Sequence, residues 1–201
     1  MIRKIQKTKH WVLFTLMFGL PIFFQFVIGL ILMLTLSAEG YPSILCFLSF
    51  FSLFPLIMIL YIGVFFSWVW SIGIGLQKYI KEGIKLKTRL FKVFFFIPLI
   101  YILFLLLTFS TSFFPGVLDG NQFESHIGYI LAMMIPLHLF SMFCMFFLIY
   151  FSAKTLKTAE LHRKATLNDY IGEFFLFWFF PIGIWFIQPR INNIVSKDFI
   201  K

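Results

Sequence analysis

Acidic residues are scarce in this sequence: 8 Asp and Glu stand against 17 Lys and Arg, and charge of either sign accounts for only 12% of 201 residues. A soluble domain carries roughly 25% charged residues, so a globule facing water on every side is excluded. Cysteine is nearly absent too, with Cys46 and Cys144 alone. In the topology below, Cys46 falls near the outer end of one helix and Cys144 about 25 Å below the outer end of another. Disulfide closure needs Cα atoms within about 7 Å, so the expectation is two thiols packed as small hydrophobes. HExxH, CxxC, P-loop, GxSxG and paired acidic motifs are all missing. No span assigned below holds Asp, Lys or Arg in its interior, which argues against a proton-coupled pump and against most intramembrane hydrolases. The expectation is a protein without enzymatic activity, metal or cofactor.

What remains is apolar: 61% hydrophobic, 22% aromatic, 32 phenylalanines and a mean hydropathy of +0.95. Lipid must be the solvent for most of these side chains, and the phenylalanines read as filling of an apolar face. The formal charge of +9 lies in tails and loops beside hydrophobic runs, a pattern for anionic headgroups and not for nucleic acid. Each Lys or Arg near such a surface contributes about 1 kcal/mol.

Residues 1–10 carry Arg3, Lys4, Lys7 and Lys9 ahead of an apolar run over about 11–36. That run exceeds a signal-peptide h-region of about 7 to 15 residues and ends without an A-x-A-like site, so it is read as a first membrane helix with Trp11 at its interface. Residues 37–43 hold no Lys or Arg and predict an outer turn. A second span, 44–76, would measure roughly 50 Å at 1.5 Å per residue, so it must tilt, bend at Pro55 or project beyond the lipid. Trp68 and Trp70 are expected to mark its inner boundary. Residues 77–92 then form the most basic stretch, with Lys78, Lys81, Lys85, Lys87, Arg89 and Lys92 against Glu82, facing lipid headgroups. Third and fourth spans follow at 90–114 and 127–153, joined by an outer loop, 115–126, without a basic residue. Lys154, Lys157, Arg163 and Lys164 come after the fourth. Short basic loops stay in the cytoplasm, which puts the N-terminus inside.

The predicted fold is therefore one all-α integral membrane domain over 1–201, a helical bundle with four transmembrane helices. A further inserted segment, about 171–187, either re-enters or crosses a fifth time. Crossing would carry Arg190, Lys197 and Lys201 outside, against the bias elsewhere. Pro181, Ile182 and Gly183 offer a place to turn, Thr166 and Asp169 have capping-box spacing, and Pro189 is expected to stop the helix after Gln188. On the other side, FFLFWFFPIGIWF resembles VFFFIPLIYILF of the third span around their prolines, as a truncated repeat would. An internal duplication superposes Pro55 on Pro136, Phe65 and Phe66 on Phe146 and Phe147, and Ser71 on Ser152.

Four features bear on function. Each span holds one proline, at Pro21, Pro55, Pro98 and Pro136, and such interruptions bind substrates in transporters, although proline is also simply common in membrane helices. Gln25, Ser52, Tyr101 and His138 lie near one depth and form a candidate midplane polar cluster. His138 is its sharpest member, with Gln25 or Tyr101 as partner; the bland alternative is a neutral histidine holding helices together. Gly63, Ser67, Ser71 and Gly75 recur every four residues as a helix-packing strip. Glu173 is either an ion site or a complement to a helix dipole. His10, His126 and His162 read as solvated.

The ending DYIGEFFLFWFFPIGIWFIQPRIN resembles that of a group of small uncharacterised bacterial membrane proteins with a similar FFPIGIW and QPRIN pattern. The resemblance implies a multi-pass protein of the bacterial inner (cytoplasmic) membrane and no particular mechanism. The leading expectation is an accessory or assembly subunit packing against a membrane protein partner or a second copy of itself. The alternative is a small transporter or lipid-handling protein using the site around His138.

Overall fold

The computed structural model describes residues 2–39, 54–84, 86–108 and 127–197. Every regular element among them is helical. Four stretches, His10–Leu34, Phe54–Tyr79, Thr88–Thr108 and Ala132–Leu161, are long and apolar enough to cross a bilayer. The chain is a multi-pass helical membrane protein. Cys46, Ser52, Lys85, His126 and the loop 115–126 lie outside the described residues.

Helix α1 (Ile2–Lys7) is followed by α2 (His10–Phe14), which continues through a π-helical turn, Thr15–Gly19, into α3 (Leu20–Glu39). Pro21 supplies the reason for the wide turn. It has no N–H for the Met17 carbonyl and its ring crowds that carbonyl, and one turn of π-helix relieves both. Residues 37–39 extend this helix, where an outer turn was expected. α4 (Phe54–Gly73) passes into a 3-10 turn, Gly75–Tyr79. α5 (Thr88–Thr108) and α6 (Ile127–Leu161) run unbroken through Pro98 and Pro136. α6 has 35 residues, about 52 Å at 1.5 Å each, against a hydrocarbon core of about 30 Å. Its last turns therefore stand clear of the lipid and carry Lys157 and Glu160. Arg89 and Lys92 open α5, Lys78 sits in the 3-10 turn, and Lys81 and Lys87 lie in the link between them.

The C-terminal segment is two helices, α7 (Leu167–Trp178) and α8 (Phe180–Lys197). Thr166 caps α7, and its backbone N–H donates to Asp169 Oδ2 at 2.8 Å, completing the expected capping box. The helix ends at Phe179, where ψ reaches 54°. Gly183 then lies so close to the opposite arm that a Cβ on it would stand 1.8 Å from the Leu176 carbonyl oxygen. In one straight helix Glu173 and Arg190 would be separated by about 25 Å. Here Arg190 Nη2 lies 2.9 Å from Glu173 Oε1. The arms double back, and both ends of the pair lie at the basic end of the bundle, next to α1 and the end of α6.

Pro189 does not stop α8, which continues to Lys197. The buried stripe Ile184, Ile187, Gln188, Ile191 and Val195 has helical spacing on both sides of the proline, and packing of that stripe holds the helix together. The carbonyl freed by Pro189 belongs to Trp185, on the exposed face, where losing a partner costs least.

The packing is aromatic. Phe94 meets Phe147 at 4.6 Å and Phe91 meets Phe151 at 4.8 Å, joining α5 to α6. The hairpin tip Phe180 sits among Phe18, Tyr61 and Phe65, with centroids 5.2 to 5.6 Å away. Trp68 corrects the sequence reading: it is fully buried against Phe177 and marks no lipid boundary. Trp70 is half-buried against Phe91 and Phe95. Cys144 is a buried free thiol.

Candidate functional site: a hairpin-floored cavity

The hairpin is fixed by polar groups at its base. Gln188 is wholly buried. Its Oε1 accepts from Trp68 Nε1 at 2.9 Å, while its amide nitrogen donates toward the carbonyls of Ile5, Gln6 and Thr8 at 3.1, 3.3 and 2.8 Å. Those carbonyls lie at and just beyond the end of α1, where helical partners run out; only that of Ile5 also accepts a backbone N–H, from Thr8 at 3.1 Å. Gln6, also buried, donates to the Ser71 carbonyl at 2.8 Å. A glutamine amide, with donor and acceptor on one rigid plane, thus ties α8, α4 and the N-terminal helix together.

Beside it lies a four-membered ionic cluster. Lys157 and Glu160 project from the end of α6, Glu173 from α7 and Arg190 from α8. Lys157 reaches Glu173 at 3.0 Å and Glu160 at 3.5 Å; Arg190 reaches Glu160 at 2.5 Å and Glu173 at 2.9 Å. Two cations balance two carboxylates, so the cluster is neutral and cross-braced, a staple holding both arms to α6. Glu173, read from sequence as an ion site or a dipole complement, is a member of this brace. Further out, Arg163 grips Asp169 with two bonds of 2.9 Å. Arg163 first, then the Thr166 N–H and hydroxyl, hold that carboxyl well below the usual carboxylate range.

Above the brace, the hairpin tip closes the floor of a cavity of about 350 Å³ between α4, α5 and α6. Phe177, Trp178 and Phe180 form the floor, Tyr61 and Phe65 one wall, Met142, Met145 and Phe146 another. Trp178 stacks on Phe146 with centroids 4.3 Å apart. Three polar side chains besides Tyr61 reach the apolar space: Tyr101, His138 and Ser141. The Tyr101 hydroxyl lies 3.3 Å from His138 Nδ1. If the hydroxyl donates, His138 presents Nε2–H; if Nδ1–H donates, it presents an acceptor. Tyr101 is buried whereas His138 is exposed on the bundle surface, so the pair runs from cavity wall to lipid boundary. Among the described residues no carboxylate or cysteine lines this cavity, and its chemistry is hydrogen bonding within an apolar volume.

The predicted midplane cluster is thus brought together in part. Tyr101 and His138 meet, Ser52 lies outside the described residues, and no hydrogen bond joins half-buried Gln25 to either. The four prolines do not line this space; Pro21 adjoins the π turn and Pro55 opens α4 as described. The small-residue strip divides. Ser71 and Gly75 are buried under α1, with Gly75 so close to Ile2 that a Cβ would lie 2.6 Å from its Cγ2. Gly63 and Ser67 instead floor an apolar groove of about 370 Å³ with Phe66, Trp70, Phe95 and Leu99. His10 departs from expectation: it is half-buried and packs on Trp185 at 4.7 Å, while His162 is exposed at a positive φ of 50°.

Gln6, Gln188 and the brace escaped the sequence reading. For Gln188 a signal existed, since it occupies an apolar stripe position between Ile184 and Ile191. For Lys157, Glu160 and Arg190 only the doubling-back of the chain brings the charges together.

The chain matches no family model, no curated protein and no solved structure.

Proposed function

We propose that this protein is a non-enzymatic lipid-handling protein that takes a lipophilic molecule from the bilayer into the cavity above the hairpin. One observation carries the reading: an apolar volume of about 350 Å³ next to a Tyr101–His138 pair that reaches the surface. Ligand sites are commonly apolar clefts of roughly 300 to 1,000 Å³ with a few polar groups fixing orientation, and this cavity has that make-up. His138 and Tyr101 would hold a hydroxyl or carbonyl at one end of the guest, and Met142 and Met145 would adapt to its chain.

The host membrane in this reading is the bacterial cytoplasmic membrane, with the N-terminus in the cytoplasm. Support comes from the basic residues of 77–92, which would face anionic headgroups, and from the C-terminal resemblance. A partner-binding role is the second reading. Its support is the open half of the strip, where space above Gly63 would admit a neighbouring helix closely.

The test is extraction. Lipophilic compounds co-purifying with the protein in mild detergent are quantified by mass spectrometry for wild type, His138→Ala and Ser141→Phe. A bound guest predicts that the cavity-filling Ser141→Phe loses it and His138→Ala loses most of it, both with near wild-type melting. Identical extracts from all three would refute the proposal. If Gly63→Leu instead removes a co-purifying protein while leaving the extract intact, the second reading holds.

A further inference from the structure

A half-buried lysine on a membrane protein needs a counter-charge, because removing an ammonium group from water is costly unless it is paired. Lys154 is half-buried on α6, and no carboxylate lies within 4 Å of it among the described residues. Glu160 and Glu173 are held by Lys157 and Arg190, and Asp169 by Arg163. What Lys154 has is aromatic: its Nζ donates to the Tyr150 hydroxyl at 3.1 Å and stands 5.4 and 6.0 Å from the centres of the Tyr150 and Tyr170 rings. Those rings meet edge to face at 5.5 Å. Burial, and then the hydrogen bond with Tyr150, push the Tyr170 phenol up to about 12. Donors and positive charge converge here on a place with no anion of its own.

The same helix face continues upward as hydrocarbon. Phe143, Phe147, Tyr150 and Lys154 are spaced i, i+4, i+7 and i+11, one stripe of a helix, and Phe143 at its top is 59% exposed. Lys154 lies about one turn above Lys157 of the brace, where α6 leaves the lipid. We propose that Lys154, Tyr150 and Tyr170 bind the phosphate of an anionic glycerophospholipid whose acyl chains lie along Phe147 and Phe143. Tyr150 and Tyr170 orient the phosphate oxygens, and the Lys154 ammonium selects lipids with net negative charge. The site is separate from the cavity and from the basic residues of 77–92, and stands whether or not the cavity holds a guest.

The test is lipid retention by native mass spectrometry on the full chain in mild detergent, with dioleoyl phosphatidylglycerol or dioleoyl phosphatidylcholine added in equal amounts. Wild type should retain phosphatidylglycerol in preference. Lys154→Ala should weaken that retention about tenfold, as loss of a charge-assisted contact does. Lys154→Arg should preserve it, and Lys87→Ala should leave it unchanged. Tyr170→Phe, which keeps the ring, should weaken it two- to threefold and serves as the test should Lys154→Ala fail to fold. Equal losses from Lys154→Ala and Lys87→Ala would mean a diffuse basic surface and overturn the site. Unchanged retention by Tyr170→Phe together with Lys154→Ala, or by Tyr170→Phe alone where Lys154→Ala fails to fold, would also overturn it. Displacement of the lipid by a few millimolar inorganic phosphate would identify a soluble anion as the ligand and overturn the lipid assignment.

Discussion

Replacing Gln188 with Met keeps the length and apolar stem of the side chain and removes one acceptor and two donors. Trp68 Nε1, which donates to Gln188 at 2.9 Å, then has no partner in a fully buried position. The carbonyls at the end of α1 lose the amide that serves them from 2.8 to 3.3 Å. One amide makes at most three good bonds here, one accepted and two donated. At the ~0.6 kcal/mol typical of polar contacts between membrane helices the loss is about 2 kcal/mol, and at the ~1 kcal/mol of soluble proteins about 3. Asn192, one turn on, also reaches the Thr8 carbonyl at 3.4 Å and limits the loss to that range. Two assays report on it. Melting in detergent should fall by several degrees, and α1 should come loose, opening the backbone beside the exposed Lys4, Lys7 and Lys9 to trypsin. Asn193→Ala, on the exposed face of the same helix, should change neither. Wild-type melting and trypsin resistance in Gln188→Met would refute the claim that this side chain locks the N-terminal helix to the hairpin.

Gly183→Ala places a methyl group on backbone atoms of Leu176 that cannot move aside; overpacking should cost about 3 kcal/mol or more, read as a lowered melting temperature, with Gly172→Ala near neutral because its Cβ meets open space. Arg190→Met leaves Glu160 and Glu173 sharing Lys157 alone; the brace is partly exposed, so a loss of about 2 kcal/mol is expected, between surface and buried limits. Glu173→Gln combined with Arg190→Met should lose less than the sum of the single changes in the same melting assay. Asp169 has a depressed folded pKa, so its contribution to capping α7 is present above the unfolded value of about 4 and is lost as pH falls through the folded value. Melting of wild type should therefore decline on acidification below about pH 4 by more than that of Asp169→Asn.

The bundle was legible because its signals are local. Apolar run length against bilayer thickness locates the spans, and the Thr166–Asp169 spacing locates the start of α7. The reversal was only half legible, although the decisive residue was in view. Around Pro98 the third span reads FIPLI, and around Pro181 the C-terminal segment reads FFPIGI; both prolines carry the same local penalty. Ile100, two residues after Pro98, could not approach a returning backbone, whereas Gly183, two residues after Pro181, does. Pro189 misled because its penalty is local while the stripe from Ile184 to Val195 is cooperative. Trp68 misled because an indole anchors equally well at an interface or to a buried amide, and only its contact with Gln188, 120 positions away, decides. Of the midplane cluster, helix depth gave Tyr101 and His138, but rotation of α3 about its axis, which decides whether Gln25 joins them, has no sequence marker in a helix apolar all round.

The doubling-back of α7 and α8 is tested most directly by labelling from one side. In a background with Cys46 and Cys144 replaced by Ala, single cysteines at Lys164 and Ser196, both exposed, are treated with an impermeant thiol reagent in intact cells and again after permeabilisation. A hairpin with both arms based on the cytoplasmic side predicts the same behaviour at both positions, each reacting only once the cell is opened. A cysteine at position 196 that reacts in intact cells while the one at 164 does not would place a fifth crossing between them and contradict the hairpin.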